Sequence, residues 1–178
     1  MLHWPATVTG PEMLIAHLPS GGYILGTFMR RQWPGSPAIV GAAIVGSVIP
    51  DIDMLYFHFI DGGRTHHHSY MTHWPLFWAA AGALSLLFVS WRARSYLAAT
   101  AAFFAAAMLH MVLDTLASPI LWLMPFDRRA FELVTVPADF SNWVLSFLLH
   151  WTFACELLIC GWALWLARGR PQPATNAA

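Results

Sequence analysis

Long apolar runs separated by short polar stretches are the main pattern along the chain. A helix that crosses the hydrocarbon core of a bilayer needs about 20 predominantly apolar residues. Three runs meet this requirement well, at residues 75–91, 96–124 and 143–167. Two weaker runs cover residues 12–29 and 38–60. The pattern predicts an all-α fold, a polytopic membrane helix bundle with about four to five transmembrane or partly re-entrant helices.

The two weaker runs are interrupted at recognisable residues. Pro19 and the pair Gly21-Gly22 predict a kinked or partly re-entrant helix in the first. The second begins as a clean apolar stretch and then meets Pro50 and two aspartates. Irregular backbone is tolerated at membrane depth only where protein or a wet cavity covers it, so this bend is expected inside the bundle.

Composition indicates that lipid covers an excess of apolar surface. Of the 178 residues, 58% are hydrophobic and 10% charged, whereas a soluble domain is about 45–50% apolar and about 25% charged. The net charge of +0 gives no indication of a nucleic-acid partner. We expect one membrane-embedded helical domain, residues 1–167, followed by a flexible polar tail, residues 168–178.

Arginine placement sets the expected orientation, because cytoplasmic loops of membrane proteins are enriched in basic residues. If the five runs alternate in direction, one side carries Arg30, Arg31, Arg92, Arg94, Arg168 and Arg170, and the other carries Arg64, Arg128 and Arg129. The richer side is expected to be cytoplasmic, with the N-terminus outside. The candidate histidines and aspartates then share a similar depth on the outer side.

His110 and Asp114 form a His-x-x-x-Asp pair inside an apolar run. Residues four apart share a helix face, so both side chains could bind one ion. Ionisable groups inside transmembrane helices are costly and are usually functional. The alternative is an intrahelical pair that only holds helices together.

Asp51 and Asp53 follow Pro50 and are separated by one residue. Their carboxylates share a face only if the backbone is extended there, and Pro50 disfavours helix at Ile49, which helps. Bridging aspartates suit sites with two metal ions. The alternative for this pair is a helix cap or an interfacial anion.

Four histidines within eight residues stand at the next membrane edge: His66, His67, His68 and His73. Imidazole is a favoured ligand of zinc and other first-row metals. All four cannot face one ion: His68 and His73 could be ligands while His66 stays outside, or His67 could replace His68. Arg64 could bind a phosphate or another anion. The alternative is a solvated loop that binds metal casually.

Two further histidines are weaker candidates. His17 stands alone on its run and is either a hydrogen-bonded structural residue or a ligand. His150 and Glu156 do not share a helix face, which leaves His150 as a spare candidate. His110 and His150 together would also suit a bis-His haem of a membrane electron carrier. A third hypothesis is a metal or proton transporter that uses the same ionisable residues.

Several blocks in this order resemble one family, the LexA-regulated inner-membrane metal-dependent hydrolases (YdjM-like). The blocks are AHLPSG at 16–21, GSVIPDID at 46–53, HS at 68–69, HMVLDT at 110–115 and PF at 125–126. The resemblance implies a multi-helix protein of the bacterial inner membrane and a distant relation to zinc-dependent phospholipase C. Together with the arginine placement, this predicts a site on the periplasmic side of that membrane. The resemblance also implies that the direct metal ligands are His17, Asp51, His68, His110 and Asp114, with Asp53 a ligand or a base.

The histidine block departs from the family pattern, which usually reads Arg-Gly-x-Thr-His-Ser with one histidine. Here three histidines follow Arg64-Thr65, and His68 is preferred because Ser69 follows it. The soluble phospholipases use a further His-x-x-x-Glu pair, but Ala154 stands four residues after His150. The lack of this pair favours a site with one or two metal ions over a site with three.

The resulting hypothesis is a membrane-bound hydrolase that uses a divalent metal, with zinc favoured, on a phosphoester or lipid-linked substrate at the membrane interface. Asp51 or Asp114 would bridge or orient, Asp53 could take a proton, and Arg64 would bind substrate. Membrane lipids are the expected partners. The full set of candidate metal ligands is His17, Asp51, Asp53, His67, His68, His73, His110 and Asp114.

Overall fold

The computed structural model of the protein describes residues 17–36, 38–62, 64–137, 139–141 and 143–169. Its α-helices are α1 (His17–Gln32), α2 (Ile39–Val48), α3 (Asp53–Tyr56), α4 (Pro75–Arg92), α5 (Leu97–Asp114), α6 (Trp143–Leu148) and α7 (Trp151–Arg168). Within these ranges the only β-structure is one isolated bridge, between Ile120 and Phe131. The protein is an all-α membrane helix bundle, which confirms the predicted fold class.

Helix α2 packs against both α1 and α5, while α4 packs on α5 and α7 packs on α1. Small residues at such contacts let membrane helices approach closely. The buried cluster at this centre consists of Ile39, Ala43, Ala102 and Ala106. Gly46 of α2 lies so close to α5 that a Cβ atom there would be 2.8 Å from the backbone carbon of Phe103. This contact holds α2 close against α5.

Among the described residues, three helical segments are long and apolar enough to cross a membrane: Ile39–Asp61, Pro75–Arg92 and Arg94–Asp114. The first begins with α2 and continues through α3 to a π-helical turn, Phe57–Asp61. It corresponds to the run at 38–60, which the sequence pattern predicted only as a weaker span. The segment reaches its full length because helical turns continue past Pro50. Helix α1, with 16 residues, and α7, with 18, complete the bundle.

The expectation of extended backbone at Asp51 and Asp53 was wrong. Residues Ile49–Ile52 form a turn of 3-10 helix, and Asp53 then opens α3 with φ −67° and ψ −17°. Proline fits the first turn of a helix, because the N–H that it lacks would have no intrahelical partner there. The chain therefore bends at Pro50 without leaving helical conformation.

The run at 96–124 is helical only as far as Asp114, ten residues short of the predicted end. The hydroxyl of Thr115 donates a hydrogen bond to the carbonyl of Met111 in the last turn. Pro119 disfavours helical backbone at the residue before it, so the chain cannot resume the helix there. Asp114 consequently stands at a helix end, beside a loop, rather than in mid-helix.

The run at 143–167 is divided into α6 and α7 rather than forming one helix. His150 lies at the break with extended backbone, φ −84° and ψ 148°, and its side chain accepts a hydrogen bond from the N–H of Thr152. A side chain that satisfies a free N–H in this way favours a new helix start. Of the predicted polar tail, residues 170–178 lie outside the described part of the chain.

Candidate metal centre

Four parts of the chain bring ionisable side chains to one buried place. Asp51 comes from the turn after α2, Asp53 from the start of α3, His73 from the loop before α4, and His110 and Asp114 from the end of α5. His73 and His110 have no exposed surface, and Asp53 and Asp114 are 7% and 6% exposed. Burying this many charged groups is costly unless they are paired or bind a cation.

The imidazole of His73 lies between two carboxylates. Its Nδ1 donates to Oδ2 of Asp53 at 2.7 Å, and its Nε2 lies 3.2 Å from Oδ1 of Asp51. The hydroxyl of Thr72 also donates to Oδ2 of Asp53. Trp78 fixes this loop, because its indole N–H donates to the carbonyl of Thr72 at 2.6 Å. His73 is therefore held rigidly, with Nε2 turned to Asp51.

The two neighbouring carboxylates determine the pKa of His73. Burial alone would lower the pKa of His73, but its hydrogen bonds with Asp51 and Asp53 outweigh burial and raise that pKa to about 9. A cation between these carboxylates is thus favourable, whether it is a proton on the imidazole or a bound ion.

His110 has the same arrangement with a different partner. Its Nδ1 lies 2.7 Å from the backbone carbonyl of Ser47, which can only accept, so Nδ1 carries a proton. Nε2 lies 2.9 Å from Oδ2 of Asp114 and 3.6 Å from Oδ1 of Asp51. Although close to Asp114, Nε2 is buried without a hydrogen bond of acceptable geometry. Nε2 therefore faces the space between two carboxylates.

His68 reaches the same place from the histidine-rich loop. Its Nε2 lies 3.7 Å from Oδ2 of Asp114, and its Nδ1 is buried without a hydrogen-bond partner. Burial lowers the pKa of His68 well below its ordinary value, and the neighbouring imidazole of His67 lowers it further. His68 is thus neutral near pH 7 and offers a lone pair.

The spacing of these atoms fits a first-row metal ion. A tetrahedral zinc ion with bonds of about 2.0–2.1 Å separates its ligand atoms by about 3.3 Å. The contacts among His68, His73, His110, Asp51 and Asp114 range from 2.9 to 3.7 Å. Two groups with compatible ligand atoms are Asp51–His73–His110 and His68–His73–Asp114.

The structure describes most of the predicted site residues, but they do not all take the same position relative to the candidate centre. Asp53 lies behind His73 rather than beside His110, a position that suits orienting an imidazole. His67 packs against His68, with ring centroids 3.9 Å apart. Arg64 is exposed. The side chain of His17 lies outside the described part of the chain.

Sequence reasoning missed three residues that fix the geometry. Ser47 acts through its backbone carbonyl, which no side-chain pattern can indicate. Thr72 and Trp78 hold Asp53 and the loop in place. The closeness of Thr72 and Trp78 to His73 in the sequence was a usable signal. A buried histidine that binds metal usually needs a carboxylate and a fixed loop behind it.

Comparison with known proteins gives a family and no closer relative. The family model described as YdjM inner membrane protein matches residues 13–171, which covers every candidate residue of this centre. No curated protein and no solved structure shows significant similarity to the chain.

Proposed function

The chain belongs to the YdjM inner membrane protein family, and we propose that it is a metal-dependent hydrolase whose divalent ion, with zinc favoured, binds among Asp51, His73, His110 and Asp114. One observation carries this proposal. Two buried imidazoles each have Nδ1 bonded to an oxygen acceptor and Nε2 turned toward the same carboxylate, that of Asp51.

This arrangement is the one that metal-binding histidines adopt. A ligating histidine usually donates its other ring N–H to a carboxylate or a backbone carbonyl, which fixes its tautomer and orientation. Asp53 fills that position for His73, and the carbonyl of Ser47 fills it for His110. A purely structural pair would not need both Nε2 atoms to face Asp51, so the geometry favours a cation.

Each residue then has a role in hydrolysis. A divalent ion bound in this place would lower the pKa of a water molecule and polarise a phosphoryl oxygen. Asp51 and Asp114 would hold the ion, while Asp53 keeps His73 in the correct tautomer. His68 lies at the edge of the centre, where its Nε2 is 3.7 Å from Oδ2 of Asp114.

The surface beside Asp51 supports an amphiphilic substrate. An apolar groove of about 1030 Å³ runs along α2 and α3, and Asp51 is its only acidic lining residue. Its walls are mainly aliphatic and aromatic, with Val45, Val48, Ile52, Leu55 and Phe59 among them. An acyl chain in this groove would place a phosphoester headgroup at Asp51. The arginine distribution supports a periplasmic position for this end of the bundle.

The haem hypothesis has less support from the same residues. His150 lies at the break between α6 and α7, where it caps α7 through Thr152. The Nε2 of His110 faces two carboxylates, which stabilise a small cation. A transporter would use the same ligands, and uptake of zinc into proteoliposomes would distinguish it from a hydrolase.

The direct test combines metal analysis with a substrate panel. The detergent-purified protein is expected to contain a divalent ion and to cleave a phosphoester with a long acyl chain. A chelator should abolish the cleavage, and added zinc should restore it. Purified protein without bound metal, or cleavage that a chelator leaves unchanged, would contradict the proposal.

Asp53→Asn is expected to weaken metal binding by about 10–100-fold without abolishing it. The amide can still accept from Nδ1 of His73, but it lacks the charge that makes the imidazole a better ligand. Zinc titration against a chromophoric chelator measures the effect. Asp127→Asn, which changes a partly exposed aspartate paired with Arg129 in another loop, serves as the matched control. Loss of all bound zinc in Asp53→Asn would instead make Asp53 a direct ligand.

A further inference from the structure

Three consecutive histidines, His66, His67 and His68, bring their rings together beside the candidate centre. The rings of His66 and His67 are stacked, with centroids 5.3 Å apart and planes 17° apart. The centroid of His68 lies 3.9 Å from that of His67 and 5.0 Å from that of His66. Each ring offers a nitrogen within 4.8 Å of the other two. Consecutive side chains converge here on one point.

Local backbone geometry produces this convergence. His66 is extended, with φ −60° and ψ 128°, and the next three residues, His67–Ser69, form a tight turn of 3-10 helix. The change from extended to helical backbone rotates each side chain toward its neighbour. Trp74 holds the turn, because its indole N–H donates to the carbonyl of Ser69 at 3.1 Å. The three rings are therefore part of a fixed turn.

Burial makes a ligand for these rings favourable. His67 is 5% exposed and His68 is 4% exposed, so two polar rings have left water in adjacent positions. The Nδ1 atom of His68 is buried and has no hydrogen-bond partner. A buried polar atom without a partner destabilises the folded state, because it has lost its hydrogen bonds to water. A metal ion would give that lone pair a partner.

We propose that His66, His67 and His68 form a second, outer metal site, which takes zinc or a similar first-row ion. Its ligand set contains only imidazoles. Imidazole suits zinc, copper and nickel, whereas magnesium and manganese prefer carboxylates and water. The outer site thus selects against manganese, while the inner group of Asp51, His73 and His110 includes a carboxylate that accepts it.

The outer and inner groups share no residue, so both can hold an ion at once. A third group, formed by His68, His73 and Asp114, takes one histidine from each. The rings of His68 and His73 lie 4.8 Å apart. His66 is half-buried at the outer edge, and His73 has no exposed surface. The imidazoles therefore form a continuous series from the surface to the inner group.

The test counts metal ions in protein purified through a tag without histidine. After desalting, the wild type is expected to retain two zinc ions per chain, and the double variant His66→Gln/His67→Gln one. With manganese in place of zinc, both proteins are expected to retain one ion. His150→Asn removes an imidazole from a distant helix start while keeping a good helix-capping side chain, and should retain two zinc ions.

A second pair of variants protects the test against misfolding. His66→Gln alone changes a half-buried side chain and is expected to weaken the outer zinc site by more than about 10-fold, because a direct ligand is lost, while the inner site is unchanged. In His110→Asn the outer site alone should bind copper(II), with an electron paramagnetic resonance spectrum that shows several nitrogen ligands. Both variants should elute as the wild type does in gel filtration.

The outcomes separate this proposal from the hydrolase proposal. If the wild type retains one zinc ion, and this ion is lost in His66→Gln/His67→Gln but kept in His110→Asn, the outer site is supported and the proposed inner site is contradicted. A wild type with one zinc that His66→Gln/His67→Gln keeps would overturn the outer site. Two zinc ions in the double variant, or none in the wild type, would also overturn it.

Discussion

His110→Asn is expected to lose the inner metal ion and to reduce phosphoester hydrolysis on the order of 1,000-fold. The amide nitrogen of asparagine occupies nearly the place of Nδ1, so the hydrogen bond to the carbonyl of Ser47 can persist. Only Nε2, the atom that faces Asp51 and Asp114, is removed. A bound metal contributes several kcal/mol of transition-state stabilisation, and about 4 kcal/mol corresponds to this loss in rate.

His110→Gln is the informative counterpart. Glutamine places a polar atom near the position of Nε2 and removes the donor to Ser47. If His110 were only a structural residue, Asn would behave as the wild type and Gln would lower the thermal stability. If His110 is a ligand, Asn loses metal and activity while its unfolding temperature in chelator stays near that of the chelated wild type. Metal and activity retained in His110→Asn, with a lower thermal stability in His110→Gln, would refute the ligand role.

Gly46→Ala is expected to lower the free energy of unfolding by about 3 kcal/mol, at the upper end of the usual overpacking cost. A Cβ at this position would lie 2.8 Å from the backbone carbon and 2.9 Å from the Cα of Phe103. Backbone atoms in a helix cannot rotate away, so α2 and α5 must separate. Asp51 follows α2 and His110 lies in α5, and therefore metal affinity should fall as well.

Gly41→Ala is the matched control in the same helix. No heavy atom lies within 4 Å of a Cβ built there, so alanine should leave stability unchanged or raise it by up to about 1 kcal/mol through helix propensity. Unfolding in mixed detergent micelles measures both variants, and zinc titration measures the site. Equal stability of Gly46→Ala and Gly41→Ala would contradict the close contact between α2 and α5.

The His110–Asp114 pair was predictable because helical periodicity determines it. Residues four apart meet on any helix, and the apolar surroundings indicated that this run is helical. The structure places Nε2 of His110 2.9 Å from Asp114, as that spacing predicts. The resemblance to a family also pointed to both residues. That they bind an ion stays a prediction.

Asp51, Asp53 and His73 show what periodicity cannot determine. The two aspartates were expected to share a face of extended backbone, but they reach opposite nitrogens of one imidazole from helical backbone. His73 comes from a loop 20 residues after Asp53. Its position depends on the tight turns and on Trp78, and tertiary contacts of this kind leave no local pattern.

The ends of the long helices were the other feature that the sequence pattern did not predict. Apolar composition continues past Asp114 as far as Met124, so hydropathy alone extended the helix too far. The end depends on Pro119 and on the hydrogen bonds of a loop. The same reason applies at His150, where a side-chain cap rather than a loss of hydrophobicity divides α6 from α7.

The groove beside Asp51 runs along α2 and α3, within a segment long and apolar enough to cross a membrane, so an amphiphilic substrate would reach it from the bilayer. A substrate that enters this way diffuses in two dimensions, within the plane of the bilayer. Its effective concentration is then its mole fraction among the surrounding lipids, not its molarity in the bulk solution. Turnover in the cell would follow the lipid composition of the membrane that surrounds the protein.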